Sequence, residues 1–301
     1  MARAPKAISS NPSAPVSRCR GVLALHDHGG FKACGKEKIA EGPDPLDDTL
    51  IEYRKAYGGR SYTNALAREG FVVLVPDTFM WGSRRFELDE MPASIRPAEP
   101  AEPGADFYTR YNQAASTHEH LVEKYCSVLG TTISGLISYE DRVAANYLAS
   151  RTDVIPERIG CVGLSGGGLR STLLQATCER IRAAVVVGLM STYDGLIDHN
   201  VVSHTWMLYP NGWARYGDWT DLAACRAPSP LLVQFDSEDP LFPLAGMRAA
   251  DARLRAHYAS VGHAECYTGQ FYPGEHKFDL EMQTAAFAWL AHWLKASAAA
   301  R

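Results

Sequence analysis

The sequence feature that most constrains the fold is the pentapeptide G-x-S-x-G, which occurs here as Gly163-Leu164-Ser165-Gly166-Gly167. A short apolar run at 159–162 precedes it, and residues 169–178 are typical of the start of a helix. A serine between a strand and a helix lies on a sharp turn that exposes its hydroxyl at the carboxyl end of a sheet. Glycines suit such a turn because side chains beside the serine would clash with neighbouring backbone. A glycine-rich connection without chemistry is the alternative, but the flanking strand and helix favour Ser165 as a nucleophile.

The other strand-like runs of the chain predict a parallel sheet. Most are continuously apolar rather than alternating, which is typical of strands buried on both faces. Helical segments alternate with them, and this predicts an α/β fold with a doubly wound, mainly parallel sheet and helices on both faces. The predicted strands cover 21–25, 71–77, 159–162, 183–189, 230–235 and 265–272, and the helices lie near 61–68, 118–128, 139–149, 169–178, 246–259 and 280–294.

Two long stretches interrupt this alternation. Residues 78–115 include acidic residues and a Pro-rich passage, so we expect a loop or mobile flap there. Residues 191–220 form a long connection between two predicted strands. We therefore predict a mobile N-terminal arm at 1–18 and one domain over 19–298, with cap-forming insertions at about 78–134 and 191–220.

The residues after the later strands supply partners for the serine. A serine hydroxyl needs a base to take its proton, and the base needs an acid that fixes its tautomer. In this arrangement the acid and then the histidine follow the serine, each in a loop after a later strand. His276 follows the last predicted strand and is the predicted base. Asp239, which precedes a proline-rich turn, is the predicted acid, with Asp236 and Glu238 as alternatives.

The loop after the first predicted strand, His26-Asp27-His28-Gly29-Gly30, is a candidate oxyanion loop. Its glycines free a backbone N–H, and we predict that the N–H groups of Gly30 and Gly166 bind the oxyanion, with Phe31 as the alternative to Gly30. The histidines of this loop and of His118-Glu119-His120 suggest zinc, which needs three or four convergent ligands. Nothing in their spacing indicates convergence, so we predict no metal.

Charge and cysteine usage narrow the class of protein. The formal net charge of -4 gives no reason to expect a nucleic acid or an anionic membrane as partner. The first 20 residues lack the apolar region of a secretory signal, and no apolar run approaches the roughly 18 residues of a membrane span. Seven cysteines without metal-type spacing suggest free thiols in a reducing compartment. We therefore expect a cytoplasmic protein with a small-molecule partner; its oligomeric state stays open.

Five motifs together resemble the α/β-hydrolase superfamily, and within it the dienelactone hydrolase and acetyl-xylan-esterase-like branch. They are LHDHGG at 25–30, VPD at 75–77, GLSGGG at 163–168, SEDPLFP at 237–243 and GEHKF at 274–278. The resemblance extends from about residue 20 to 295, and it implies hydrolysis of a carboxylic ester through an acyl-serine intermediate without a cofactor. The chain departs from the branch at Ser165, where dienelactone hydrolases typically carry cysteine, and this favours ordinary ester substrates. The leading strands usual in the family are also shortened or missing.

These features leave several functions to compare. The leading prediction is an esterase for a small or medium ester, an acetyl ester or a lactone. A lyase or cyclase of secondary metabolism that reuses the same triad and oxyanion hole is the alternative, and product analysis on the native substrate would distinguish the two. A non-catalytic binding module is disfavoured because every catalytic position is filled.

The connection at 191–220 predicts where the substrate lies. It is too apolar for a free loop in water, and it leaves the sheet at the carboxyl end, where ligands bind in open α/β sheets. We expect Trp206 and Trp213 to line the pocket, with Phe31, Phe79 and Trp81 contributing other walls. The alternative is that these rings only pack the connection onto the body of the protein.

Overall fold

The computed structural model describes residues 18–42, 45–97, 103–197 and 200–295, so residues 1–17 of the predicted arm lie outside the described residues. Within the described ranges, six strands and nine α-helices occur. The strands are Cys19–Leu25 (β1), Phe71–Leu74 (β2), Val154–Leu164 (β3), Ile181–Val187 (β4), Leu231–Asp236 (β5) and Tyr267–Tyr272 (β6). The helices are Asp48–Tyr53 (α1), Tyr62–Arg68 (α2), Ala105–Val128 (α3), Ile133–Ser150 (α4), Gly166–Thr177 (α5), Tyr193–Leu196 (α6), Trp219–Ala224 (α7), Leu244–Ser260 (α8) and Leu280–Trp293 (α9).

The six strands form one parallel sheet in the order β2-β1-β3-β4-β5-β6. The order reverses between β1 and β3, so the carboxyl ends of these two strands open onto a crevice where open α/β sheets bind ligands. Leu25 pairs with Gly163 and Leu164 pairs with Val187 at this edge. The predicted α/β fold with a parallel sheet is confirmed, and every predicted strand is present with shifted ends.

Helices cover both faces of the sheet, as predicted. Successive strand residues face opposite sides: Leu23 and Leu25 join the core beneath α4, α5, α7 and α8, whereas Val22 and Ala24 join the core beneath α2 and α9. This alternation explains why the strands are continuously apolar, since both sides of each strand are buried. None of the described helices is both long and apolar enough to cross a membrane.

The loop predicted over 78–115 is only partly correct. Short 3-10 turns occur between Gly82 and Ile95, and residues 98–102 lie outside the described residues. Helix α3, however, begins at Ala105 rather than near residue 118. Tyr111 and Ala114 on its first three turns are buried against a separate apolar cluster. The sequence did not indicate this start because the helix begins at Ala105, directly after the Pro-rich passage that ends at Gly104.

Candidate active site

Ser165 lies on the turn between β3 and α5 in a strained backbone conformation. Its φ is 57° and its ψ is −120°, and besides Met80 it is the one non-glycine residue with a positive φ in the described chain. Its N–H donates to the carbonyl of Val187 on the neighbouring strand at 2.8 Å. Such conformations persist only where the surroundings hold them, and they occur preferentially at functional sites. This turn presents the serine at the carboxyl end of the sheet.

The glycines around Ser165 are required by backbone contacts. A Cβ added to Gly163 would lie 2.4 Å from the carbonyl carbon of Gly167, and one added to Gly167 would lie 2.1 Å from the carbonyl oxygen of Leu25. A Cβ on Gly166 would lie 2.6 Å from the backbone nitrogen of His28. Backbone atoms cannot rotate away as side chains can, so the turn admits only glycine at these positions. The same contacts bring the loop after β1 against the start of α5.

His276 and Asp239 are brought together at the carboxyl ends of β5 and β6. Nδ1 of His276 lies 2.5 Å from Oδ2 of Asp239, whose side chain is fully buried. The other carboxylate oxygen of Asp239 accepts the N–H of Leu241 at 2.8 Å. Because the carboxylate can only accept, Nδ1 carries the proton in the neutral ring, and Nε2 is left as the basic nitrogen. Nε2 is buried and has no hydrogen-bond partner in the described chain.

The two alternative acids have other environments. Asp236 lies at the end of β5 and accepts the backbone N–H of Lys277 at 3.1 Å, while its Oδ1 is buried without a partner. Burial raises the pKa of Asp236 to about 7. Glu238 is exposed. The hydrogen-bond partner of His276 is therefore Asp239, although the carboxylate of Asp236 and the contacting atoms of the pair lie within 4.8 Å of one another.

The ring of His276 lies next to Gly188, a residue that adjoins the backbone partner of Ser165. A Cβ built on Gly188 would lie 3.1 Å from Cε1 of His276, and Gly188 follows Val187, the backbone partner of Ser165. No hydrogen bond joins Oγ of Ser165 to Nε2 of His276, because Nε2 has no partner among the described groups. Hydrogen bonds of this kind are often long or poorly aligned before substrate binds.

The predicted oxyanion loop has a different geometry from the one expected. The N–H of Gly30 donates to Nδ1 of His28 at 3.0 Å, and the N–H of Phe31 donates to the carbonyl of His28 at 3.3 Å. Gly30 is exposed, and space within 4 Å of it is open. Both N–H groups are therefore bonded within the loop. The backbone nitrogen that lies against the serine turn is that of His28 itself, next to Gly166.

A buried carboxylate, which the sequence analysis did not identify, holds this loop. Asp27 is bonded by the hydroxyls of Tyr53 and Tyr57, and Nζ of Lys38 donates to its backbone carbonyl at 2.6 Å. Burial raises the pKa of Asp27, but Lys38 and the two hydroxyls outweigh it and lower the pKa to about 2. The residue is therefore ionised and rigidly held. In the sequence, only the position of Asp27 within the motif at 26–30 could have indicated this role, because the partners of Asp27 lie 11 to 30 residues away along the chain.

The residues considered as metal ligands have protein partners instead. His26 is buried, with Nε2 facing the N–H of Thr78 at 3.4 Å. His118 packs edge-on against Phe86, and His120 accepts the indole N–H of Trp206 at 2.8 Å. Nε2 of His28 bonds Glu119 at 2.8 Å, and among the described residues these histidines form no common group of ligand atoms.

The residues predicted to bind substrate occupy two environments. Phe31 is buried between the rings of Tyr53 and Tyr108, with both centroids 5.1 Å away. Trp81 is buried against His28 and donates its indole N–H to the carbonyl of that residue at 3.2 Å. Both residues therefore support the loop at 26–30. Phe79, which is partly buried, packs on Phe86.

The two tryptophans of the connection at 191–220 also differ. Trp213 stacks on the buried Trp219 with centroids 5.4 Å apart, as the packing alternative expects. Trp206 is 39% exposed, and its backbone N–H donates to Glu119 at 3.2 Å. Residues 198 and 199 of this connection lie outside the described residues.

His204 of this connection lies near the catalytic candidates and was missed in the sequence. Its ring contacts Phe242, with centroids 4.8 Å apart, and Phe242 in turn stacks on His276 at 6.4 Å. Nε2 of His204 bonds the carbonyl of Leu241 at 2.9 Å, two residues after Asp239. A lone histidine in an irregular connection carries no sequence signal, because only the packing of 200–206 against 240–242 places it there.

Comparisons with known proteins agree with this architecture. No protein-family model matches the chain. YtaP of Bacillus subtilis, a protein provisionally named a hydrolase, is 27% identical over 257 residues, a match that covers 85% of this chain and 72% of YtaP. The crystal structure of TT1662 from Thermus thermophilus superposes with a TM-score of 0.55 at 20% identity, covering 94% of this chain and 92% of that one. A Bacteroides fragilis protein provisionally named an acetyl xylan esterase has a TM-score of 0.60 at 17% identity, covering 87% of this chain and 61% of that one. The chain therefore has the fold of the α/β-hydrolase superfamily, as its motifs predict.

Proposed function

We propose that this protein is a serine hydrolase that cleaves carboxylic esters. The observation that carries the proposal is a serine on a strained strand-to-helix turn, at the same edge of the sheet as a histidine whose Nδ1 is bonded to a buried carboxylate. The provisional names of the relatives, a hydrolase and an acetyl xylan esterase, agree with this class of reaction. The same fold supports many reactions, so the proposal depends on the site rather than on the fold.

In the proposed reaction Nε2 of His276 transfers the protons, while Nδ1 stays bonded to Asp239. Nε2 takes the proton of the Ser165 hydroxyl as Oγ attacks the ester carbonyl carbon, and Asp239 stabilises the imidazolium that forms. The tetrahedral intermediate then collapses, and the alcohol leaves with the proton from Nε2. Water, deprotonated by the same nitrogen, hydrolyses the acyl-serine and releases the acid. These steps need only groups of this chain and water, so the proposed mechanism includes no cofactor.

We propose the backbone N–H groups of His28 and Gly166 as the oxyanion donors. Gly166 begins α5, so its N–H belongs to the first turn and has no acceptor within the helix. The positive end of the helix dipole adds to the stabilisation of negative charge there. The nitrogen of His28 is packed next to Gly166, whereas the N–H groups of Gly30 and Phe31 are engaged elsewhere. This proposal differs from the sequence-based prediction of Gly30 as the first donor.

We also propose that the connection at 191–220 covers the site and contributes to its specificity through the part around 204–206. Asn200 donates to the carbonyls of Pro240 and Leu241, and His204 bonds Leu241, so this part is attached to the loop that carries Asp239. Small and medium esters, including acetyl esters and lactones, are the substrates that we expect.

Ser165→Ala tests the reaction class. The variant lacks the nucleophile, so we expect hydrolysis of p-nitrophenyl acetate to fall by about 10⁴-fold or more. Circular dichroism and Tm should match the wild type, since alanine removes one oxygen. A folded variant with near-wild-type turnover would contradict the serine mechanism.

Paired substitutions distinguish the acid. Asp239→Asn should lower kcat by about 10³- to 10⁴-fold, because an amide no longer holds His276 in the required tautomer. Asp236→Asn should lower kcat by less than about 10-fold, because that carboxyl accepts from the backbone of Lys277 and not from the ring. Steady-state kinetics on one ester measures both, and the opposite ranking would move the role to Asp236.

The pH profile tests the base. Burial lowers the pKa of His276. The hydrogen bond and charge of Asp239, together with the charge of Asp236, raise it by more, so the pKa lies above its ordinary value of about 6.5. Catalysis needs the neutral ring, so kcat/KM should fall on acidification with a midpoint above that value. Asp236, whose pKa is about 7, is partly ionised in this range, so Asp236→Asn removes part of a negative charge and should move the midpoint slightly to lower pH. A flat profile from pH 5 to 8 in the folded protein would exclude a histidine base.

Three alanine substitutions test the covering connection. His204→Ala and Trp206→Ala should reduce kcat/KM on a bulky aryl ester about 10-fold more than on an acetate ester, because they remove side chains near the site. Trp213→Ala is the control: it should cost on the order of 2 kcal/mol of stability through lost packing on Trp219 while leaving the ratio between the two esters unchanged. Equal ratios in all three variants would reject the covering role.

A further inference from the structure

A single buried carboxylate on α3 joins the oxyanion loop to the covering connection. The side chain of Glu119 is 6% exposed, and three hydrogen-bond donors and the ammonium of Lys32 surround its two oxygens. Oε2 lies 2.8 Å from Nε2 of His28 and 2.5 Å from Nζ of Lys32. Oε1 accepts the hydroxyl of Thr205 at 2.5 Å and the backbone N–H of Trp206 at 3.2 Å. Each oxygen therefore serves a different segment of the chain.

The charges around Glu119 keep it ionised. Burial raises the pKa of this carboxyl, but His28 and Lys32 outweigh it and hold the pKa well below its usual range. Lys32 is itself buried, with its ammonium 3.8 Å from the centre of the Trp81 ring. A buried ion pair is weak evidence for a gain in stability, because desolvation offsets most of the attraction. The functional interest of the Glu119–Lys32 pair therefore lies in the segments that its geometry holds together, not in a gain in stability.

The bonds of His28 show what Glu119 holds in place. The N–H of Gly30 donates to Nδ1 of His28, so Nε2 carries the proton and donates to Glu119. Both ring nitrogens are thus engaged, and the ring cannot turn without breaking a bond. The backbone nitrogen of the same residue lies against Gly166, where we place the oxyanion. Small displacements of such a donor reduce transition-state stabilisation strongly.

We propose that Glu119 is a positioning residue for ester hydrolysis: through Oε2 it holds the His28 N–H at the oxyanion, and through Oε1 it holds the segment at 205–206 over the substrate. The inference rests on the proposed function. It also assigns different kinetic effects to the two oxygens. Loss of the His28 contact weakens binding of the transition state and lowers kcat, whereas loss of the Thr205 contact loosens the cover and raises KM for a bulky ester.

The test compares two buried glutamates of the same helix. Glu119→Gln keeps the shape of the side chain but replaces one accepting oxygen by a donor, and we expect kcat on p-nitrophenyl acetate to fall by about 10- to 100-fold with KM within about 3-fold. Affinity for a trifluoromethyl ketone, which forms a tetrahedral adduct with the serine, should fall by a similar factor. Glu123→Gln is the control, since Glu123 is equally buried one turn away but accepts only the N–H of Ile133. Its kcat and adduct affinity should equal those of the wild type.

Two further variants change the residues that bond Glu119 instead of Glu119 itself. His28→Ala keeps the backbone N–H but removes the ring, so it should lower kcat as Glu119→Gln does, and the double variant should be no worse than either single one. Thr205→Val should raise KM for a bulky aryl ester more than it lowers kcat. These variants also test the inference if Glu119→Gln does not fold.

The outcomes separate this inference from the function on which it rests. Wild-type kcat and adduct affinity in folded Glu119→Gln or His28→Ala would overturn the positioning role while Ser165→Ala remains inactive. Additive losses in the double variant, or equal losses in Glu123→Gln, would also overturn it, because the effect would then be general to the core. If Ser165→Ala hydrolyses esters like the wild type, the proposed function fails, and the inference fails with it.

Discussion

Close backbone packing between three elements is the constraint on which the site depends. The turn at Ser165 brings β3 directly into α5, and the loop after β1 contacts the same turn without intervening side chains. Gly163, Gly166 and Gly167 make this approach possible, and the hydrogen bond from Ser165 to Val187 attaches the turn to β4. Because these strands are parallel neighbours, their carboxyl ends meet at one edge. The serine, the nitrogen of His28 and the loop of His276 are therefore neighbours as a consequence of sheet order.

Four buried carboxylates surround this edge, and their partners give each a different property. Asp27 is ionised and holds the base of the oxyanion loop through Lys38 and two tyrosine hydroxyls. Asp239 faces the imidazole, whereas Asp236, which has one backbone donor and an unpartnered oxygen, has its pKa raised to about 7 by burial. Glu119 is surrounded by three hydrogen-bond donors and the ammonium of Lys32. The same functional group is thus ionised where donors are many and closer to neutral where they are few, as desolvation requires.

The described part of the connection at 191–220 shows how an irregular segment acquires a defined place. It contains short helical turns and little regular structure, yet its buried residues Met207 and Leu208 join the main core. Polar bonds attach it on two sides, to Glu119 on α3 and to the carbonyls at 240–241. Apolar packing therefore supplies its stability, and the polar bonds determine which residues lie next to the site. His204 bonds the loop at 240–242 for that reason, whereas the partly buried Trp213 stacks on Trp219.

The sequence by itself determined the strands, the parallel sheet, the serine turn and the order of acid and histidine. These features depend on local signals: continuous apolar runs, glycines at a sharp turn and polar residues directly after strands. The start of α3 was missed because a Pro-rich passage precedes it. Only the tertiary structure shows that Asp239 rather than Asp236 bonds the ring of His276, that the N–H of Gly30 is bonded to His28, and that Lys38, Glu119 and His204 lie near these residues. Two acids three residues apart have the same local pattern, and they differ only in what packs against them. Contacts between residues separated by about 90 positions, such as His28 and Glu119, arise from the packing of elements and leave no periodic trace in the chain.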